Sequence, residues 1–242
     1  MLMPMTSDQA MAALEAAGTA QNCKIYARHG AEAPMFGVSY ATLKALAKQA
    51  GRDQALAEAL WDTGNHDARI LATMVADPAV AKATVVNRWV SESTNFVLAD
   101  AVSGVAAGTP QAEKLADKLR ASSRERPAAI GWNIVAHLAT QDRLPADRAM
   151  EMIGEIERGI HAAPNRTRYS MNNALIAIGL LGGELEKAAI AAATRIGTVH
   201  VDHGETGCKT PAAADYIAKG AARAAARRAK GTSKPAKRLA KA

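Results

Sequence analysis

The side chains with the widest chemical reach crowd into one segment, His200-Val-Asp-His-Gly-Glu-Thr-Gly-Cys-Lys-Thr-Pro211. Two histidines, two acids, a cysteine and a lysine lie among two glycines that free the backbone. Three chemistries fit. His200, His203 and Cys208, with Asp202, offer donor types suited to a transition metal, although their spacing matches no standard zinc pattern. Lys209 and a helix beginning at Thr210-Pro211 would favour an anion, because free N–H groups and the helix dipole point positive charge outward. A structural joint would instead spend the acids and histidines on local hydrogen bonds. No cofactor is implied by any of these.

A second polar concentration is Asn165-Arg-Thr-Arg-Tyr-Ser-Met-Asn-Asn173. Helical spacing puts Arg166, Tyr169 and Asn173 in successive turns, and likewise Arg168 and Asn172. Arginine and asparagine hydrogen-bond both phosphates and base edges, so such a face suits nucleic acid. The alternative is a helix start with solvated arginines. Arg124, Arg126, Trp132 and Asn133 form a weaker group, with Trp132 expected in the core.

Helices must carry these residues. The 242-residue chain is 49% hydrophobic but only 4% aromatic, and alanine supplies much of the apolar content. Small side chains favour close helix packing over a sheet core. Thr6 and Gln9 have capping-box spacing, and Asp53 and Asn65 can cap the helices that follow them. Asp77-Pro78, Thr109-Pro110 and Thr210-Pro211 each place a capping oxygen before a proline, which predicts three further helix starts. About a dozen helices with short connections result, each too short to be stable alone. Stacked antiparallel pairs would bury their stripes against one another, as in an α-solenoid.

Charge is uneven. Nine of the 30 Lys and Arg residues follow Asp215 with no acid among them, leaving 21 against 23 acids in the preceding chain. The formal charge of +7 therefore describes a basic end, residues 220–242, which suits a flexible tether to nucleic acid or another acidic surface. Two cysteines make no disulfide framework. With no apolar run long enough for a membrane span and no signal-peptide pattern, a cytoplasmic monomer is expected.

The stretch Ala59-Leu-Trp-Asp-Thr-Gly-Asn-His-Asp-Ala-Arg-Ile-Leu-Ala-Thr-Met74, with Phe36-Gly-Val-Ser39 before it and Val201–Pro211 and Tyr216-Ile217 near the end, resembles the DNA alkylation repair proteins built on HEAT-like repeats. The resemblance runs from about Tyr26 to Lys219. It implies an all-α, HEAT-like superhelix over residues 1–219 that grips duplex DNA, alkylated or unmodified, in a concave groove. Active members of that family release cationic alkylated purines with an aspartate flanked by tryptophans. Matched to Asn87-Arg-Trp-Val-Ser-Glu-Ser-Thr-Asn-Phe96, the pattern puts Trp89 at a tryptophan position and Thr94 and Asn95 where the aspartate would stand. Glu92 and Asp100 are the neighbouring acids. Catalysis is therefore assigned to no single residue, with Glu92, Asn95 and Asp100 as candidates. Trp89, Arg166, Arg168, Asn172, Asn173 and Lys209 are the expected nucleic-acid contacts. An active glycosylase and a non-enzymatic scaffold for a protein partner are the competing readings.

Overall fold

A computed structural model describes residues 5–232, with side chains through Arg223. Thirteen α-helices and no strand are found among the described residues. They are α1 (Ser7–Ala16), α2 (Ala20–Arg28), α3 (Tyr40–Ala50), α4 (Gln54–Asp62), α5 (His66–Val75), α6 (Ala83–Glu92) and α7 (Phe96–Ala107). Then follow α8 (Ala112–Arg120), α9 (Glu125–Thr140), α10 (Ala146–Gly159), α11 (Asn165–Gly179), α12 (Gly183–Ile196) and α13 (Ala213–Thr232). Among the described residues no helix is long and apolar enough to cross a membrane.

Two rows of helices make the solenoid. The odd helices form a continuous row in which α3, α5, α7, α9, α11 and α13 each touch the next. The even helices lie behind it, with α4 on α5, α6 on α7, α8 on α9, α10 on α11 and α12 against both α11 and α13. This is the HEAT-like pairing expected from short amphipathic helices that cannot bury their stripes alone. Alanine and glycine set the spacing. A Cβ on Gly131 of α9 would lie 2.5 Å from the Arg120 backbone nitrogen, so only glycine lets α8 and α9 approach this closely.

Local side-chain caps start six helices, five of them the first five of the chain. Thr6 and Gln9 form a full reciprocal capping box, and the side chains of Asp53 and Asn65 accept from Leu56 and Ala68 amides. Thr19 and Ser39 cap α2 and α3 in the same way. The three proline junctions behave differently from expectation. Helices begin at Ala83, Ala112 and Ala213, well after Pro78 and two residues after Pro110 and Pro211. Asp77 accepts from the Ala79 amide and closes a turn. The Thr109 hydroxyl donates backward to the Ala106 carbonyl and finishes α7. Thr210 is engaged by His203. In each case the capping oxygen serves a turn or neighbour, not the helix ahead.

Two buried polar assemblies hold the N-terminal half together. The Asp67 carboxylate is fully buried and accepts from three successive amides, Phe36 and Gly37 on Oδ2 at 2.7 and 3.0 Å and Val38 on Oδ1 at 2.8 Å. Three donors on one anion replace the water it loses. Trp61 and Trp89 stack with ring centres 4.5 Å apart and planes 11° from parallel. Trp61 donates its indole N–H to Glu92 at 2.6 Å, and Arg69 lies over Trp61 and beside Glu92.

This assembly corrects two expectations. Trp89 is 1% exposed, so its ring is a core element shared by α4 and α6 and cannot touch DNA. Glu92 is committed to Trp61 and Arg69 and is no catalytic candidate. Asn95 is also reassigned: it is buried and caps α7 by accepting from the Leu98 amide. Beyond Gly220 the helix α13 continues to Thr232. Positions 233–242 lie outside the described residues.

Candidate nucleic-acid interface

The capped start of α7 puts Phe96 and Asp100 one turn apart on one face. Around them the first turns of α9 and α11 bring Glu125, Arg126, Arg166 and Tyr169. Together with Arg28 and His29 from the end of α2, and His203 and Cys208 from the His200–Pro211 segment, most of these residues line a recess of about 460 Å³. It shares Val97 and Asp100 with a recess bounded by α3, α5 and α7. It shares Phe96 and Glu125 with a third, which runs past Arg124, Arg126 and Lys118. Through these shared residues the three adjoin as one groove, which follows the odd row and at the third recess reaches α6 and α8.

Arginine dominates its chemistry. The Arg166 guanidinium lies 4.8 Å from the centre of the Phe96 ring and 4.9 Å from that of Tyr169. The Arg126 guanidinium lies 5.9 Å from the centre of the same Phe96 ring. Aromatic faces hold the flat guanidinium; the Nε–H of each arginine is buried without an acceptor, which leaves the terminal N–H groups to meet a ligand. Among the described residues neither arginine makes an ion pair, whereas Arg120, Arg148 and Arg195 all do. The Glu125 carboxylate accepts from the Arg166 backbone amide at 2.7 Å and caps α11, so it is spent on the helix start.

Asp100 is the acid of the groove. Asn133 of α9 donates to its Oδ1 at 2.6 Å. Its surface is open to water, yet protein closes it in on the remaining sides. That desolvation pushes its carboxyl up to about 6, against the opposing pull of the Arg166 charge and the Asn133 hydrogen bond. The same neighbourhood raises Tyr40, first by burial and then through the charges of Asp100 and Asp67.

The His200–Pro211 segment forms one wall. Asn165 exchanges two 2.7 Å hydrogen bonds with the Asp202 backbone. His203 meets Tyr169 edge to face at 5.3 Å and pairs with the Thr210 hydroxyl at 3.0 Å. Metal binding by His200, His203 and Cys208 is not supported: no group of three such ligands comes together among the described residues. Lys209 is exposed, but the helix behind it starts only at Ala213, so the expected anion site at Thr210-Pro211 has no helix N-terminus.

Residues of α11 divide by their facing. Arg166 lines the groove, and Asn173, two turns on, is half-buried. Arg168 turns away and donates to the carbonyls of His200, His161 and Ala163. Asn172 is 1% exposed and donates to the Pro211 carbonyl. Both therefore anchor the chain and are removed from the set of nucleic-acid contacts. Phe96, Arg28 and His29 were not legible as site residues. The spacing of Phe96 and Asp100 behind a capping Asn95 was the available signal, hidden by matching the pattern to Trp89.

Three comparisons agree with this architecture. A solved structure described as "A new family of proteins related to the HEAT-like repeat DNA glycosylases with affinity for branched DNA structures" superposes with a TM-score of 0.81 at 30% identity, covering 91% of this chain and 95% of that one. Uncharacterized protein Lin0241 of Listeria innocua is 28% identical over 222 residues, which is 89% of this chain and 97% of the relative. Uncharacterized protein Lmo0209 of Listeria monocytogenes is 27% identical over the same extent. Residues 10–217 match the family described as DNA alkylation repair enzyme, and the chain belongs to that family.

Proposed function

We propose that this protein binds DNA along the groove of the odd row, with Arg126 and Arg166 on backbone phosphates. The observation that carries the proposal is the pair of arginines held over Phe96 without a carboxylate partner. A half-buried, unpaired guanidinium with its terminal N–H groups free gains most from a planar anionic acceptor. Family membership supports the reading, and the affinity of the structural relative for branched DNA extends it to junctions. Fluorescence anisotropy with a paired duplex and a four-way junction, over a salt series, tests it. Arg126→Gln/Arg166→Gln should weaken both and lower the salt slope by about two, one per lost phosphate contact. Unchanged affinity and slope would refute the assignment.

A second reading is favoured by Asp100: excision of a cationic alkylated purine. The base leaves with the bonding electrons of its glycosidic bond, and positive charge develops on the deoxyribose. A carboxylate at about 4 Å stabilises that charge by on the order of a few kcal/mol near a protein surface. Asn133 fixes one oxygen and leaves the other free, and above about pH 6 the group is mostly ionised. Water completes the reaction at the sugar carbon and gives its proton to solvent. Release of 7-methylguanine from methylated DNA, lost in Asp100→Asn with binding retained, is the expected result. Absence of release by the unaltered protein would leave DNA binding as the function.

A further inference from the structure

Asp100 faces two recesses, and the DNA-binding reading uses only one. The other, about 500 Å³, lies among α3, α5 and α7 with Tyr40 at its edge and Ile70, Met74, Val97 and Ala101 on its walls. Tyr40 is 42% exposed, unusual for a large ring beside a core. Tyr26 braces it nearly perpendicularly, with ring centres 6.5 Å apart. The free oxygen of Asp100 receives no hydrogen bond from the described protein, and Asn133 leaves a second lone pair on the other. Arg52, paired with Asp77, and Thr73 complete the polar lining. A slot with apolar walls, an accessible aromatic ring and a carboxylate is the composition that holds an unstacked base.

We propose that this recess receives an unpaired nucleobase of the bound DNA, its ring against Tyr40 and the apolar walls and its N–H edge on Asp100. Guanine fits best, because N1–H and the 2-amino group present adjacent donors to one carboxylate. Thymine offers a single N–H, and a paired base offers none. The inference rests on the DNA-binding reading, and it adds a reason for preferring distorted DNA: only there is a base free to enter.

Anisotropy with the full chain separates the two. The ligands are a paired duplex, the same duplex with one bulged guanine, and one with a bulged thymine. The unaltered protein should bind the bulged guanine about tenfold tighter than the paired duplex, with thymine between them. Tyr40→Ala and Ala101→Leu, the second filling the slot, should each reduce the preference to about twofold while affinity for paired duplex stays unchanged. Thermal melts of both variants confirm folding. Equal affinity for all three DNAs, or a preference that survives both variants, overturns the inference and leaves DNA binding intact. No affinity for any DNA overturns both readings. Free dGMP competing as well as the bulged duplex would show a mononucleotide site and contradict a DNA-borne base.

Discussion

Asn133 of α9 reaches across to Asp100 of α7 and donates to it at 2.6 Å, joining two neighbours of the odd row at the acid of the groove. The cost of enclosing that acid is measurable. Its carboxyl rises from 3.8 to about 6, chiefly by desolvation. Between those values the folded state holds the proton more tightly than the unfolded chain. Stability from this group therefore falls as pH rises from about 4 to 6 and stays lower above. Asp100→Asn removes the titration and keeps an acceptor for Asn133. Relative to the unaltered protein, it should gain on the order of 1 kcal/mol between about pH 4 and pH 7.5, after discounting for the open face of the carboxylate. Denaturant melts at the two pH values give the difference; a gain independent of pH would contradict the assignment.

The stacked Trp61–Trp89 pair should matter for stability and not for binding. Trp89→Ala removes a fully buried ring and should cost about 3–5 kcal/mol. Glu92→Gln weakens the Arg69 pair and should cost about 1 kcal/mol. In both, DNA affinity measured where the protein remains folded should be unchanged. A selective loss of affinity in either would return this pair to the interface.

Arg166 and Arg168 stand two residues apart with opposite duties. Arg166→Gln should lower DNA affinity and reduce the salt slope by about one. Arg168→Ala should leave the slope alone and strip three carbonyl contacts from the joint that holds His200–Pro211. Faster limited proteolysis within that segment is the expected readout. The reverse pattern would mean that the facing of α11 is wrong.

Asp67 should be the most sensitive single position of the N-terminal half. Asp67→Ala leaves the amides of Phe36, Gly37 and Val38 without their acceptor, a cost of at least about 3 kcal/mol for three buried donors. Chemical denaturation checks it. A loss below about 1 kcal/mol would show that water replaces the carboxylate.

What the sequence made legible follows from the range of each force. Capping by Thr6, Asp53 and Asn65 acts over three residues and could be read directly. The helix count and the stacking in pairs follow from short amphipathic stripes. The Asp-Pro and Thr-Pro junctions misled because a capping oxygen can serve the turn behind it as well as the helix ahead, and tertiary packing chooses. The facing of Arg166 against Arg168 depends on where the His200–Pro211 segment returns, more than thirty residues away. Trp89 attracted attention as a rare aromatic, but its stacking partner Trp61 is on another helix. Asp100 was visible only as one acid among several, since its surroundings come from α3, α9 and α11.

The central claim is that DNA lies on the groove organised by Phe96, Arg126 and Arg166. Its most direct test is the salt dependence of DNA binding for the full chain and for Arg126→Gln/Arg166→Gln, with the basic C-terminal segment present in both. Binding that weakens at every salt concentration, with a slope lower by about two, is predicted. Identical curves for the two proteins would place DNA elsewhere on the molecule and contradict the account.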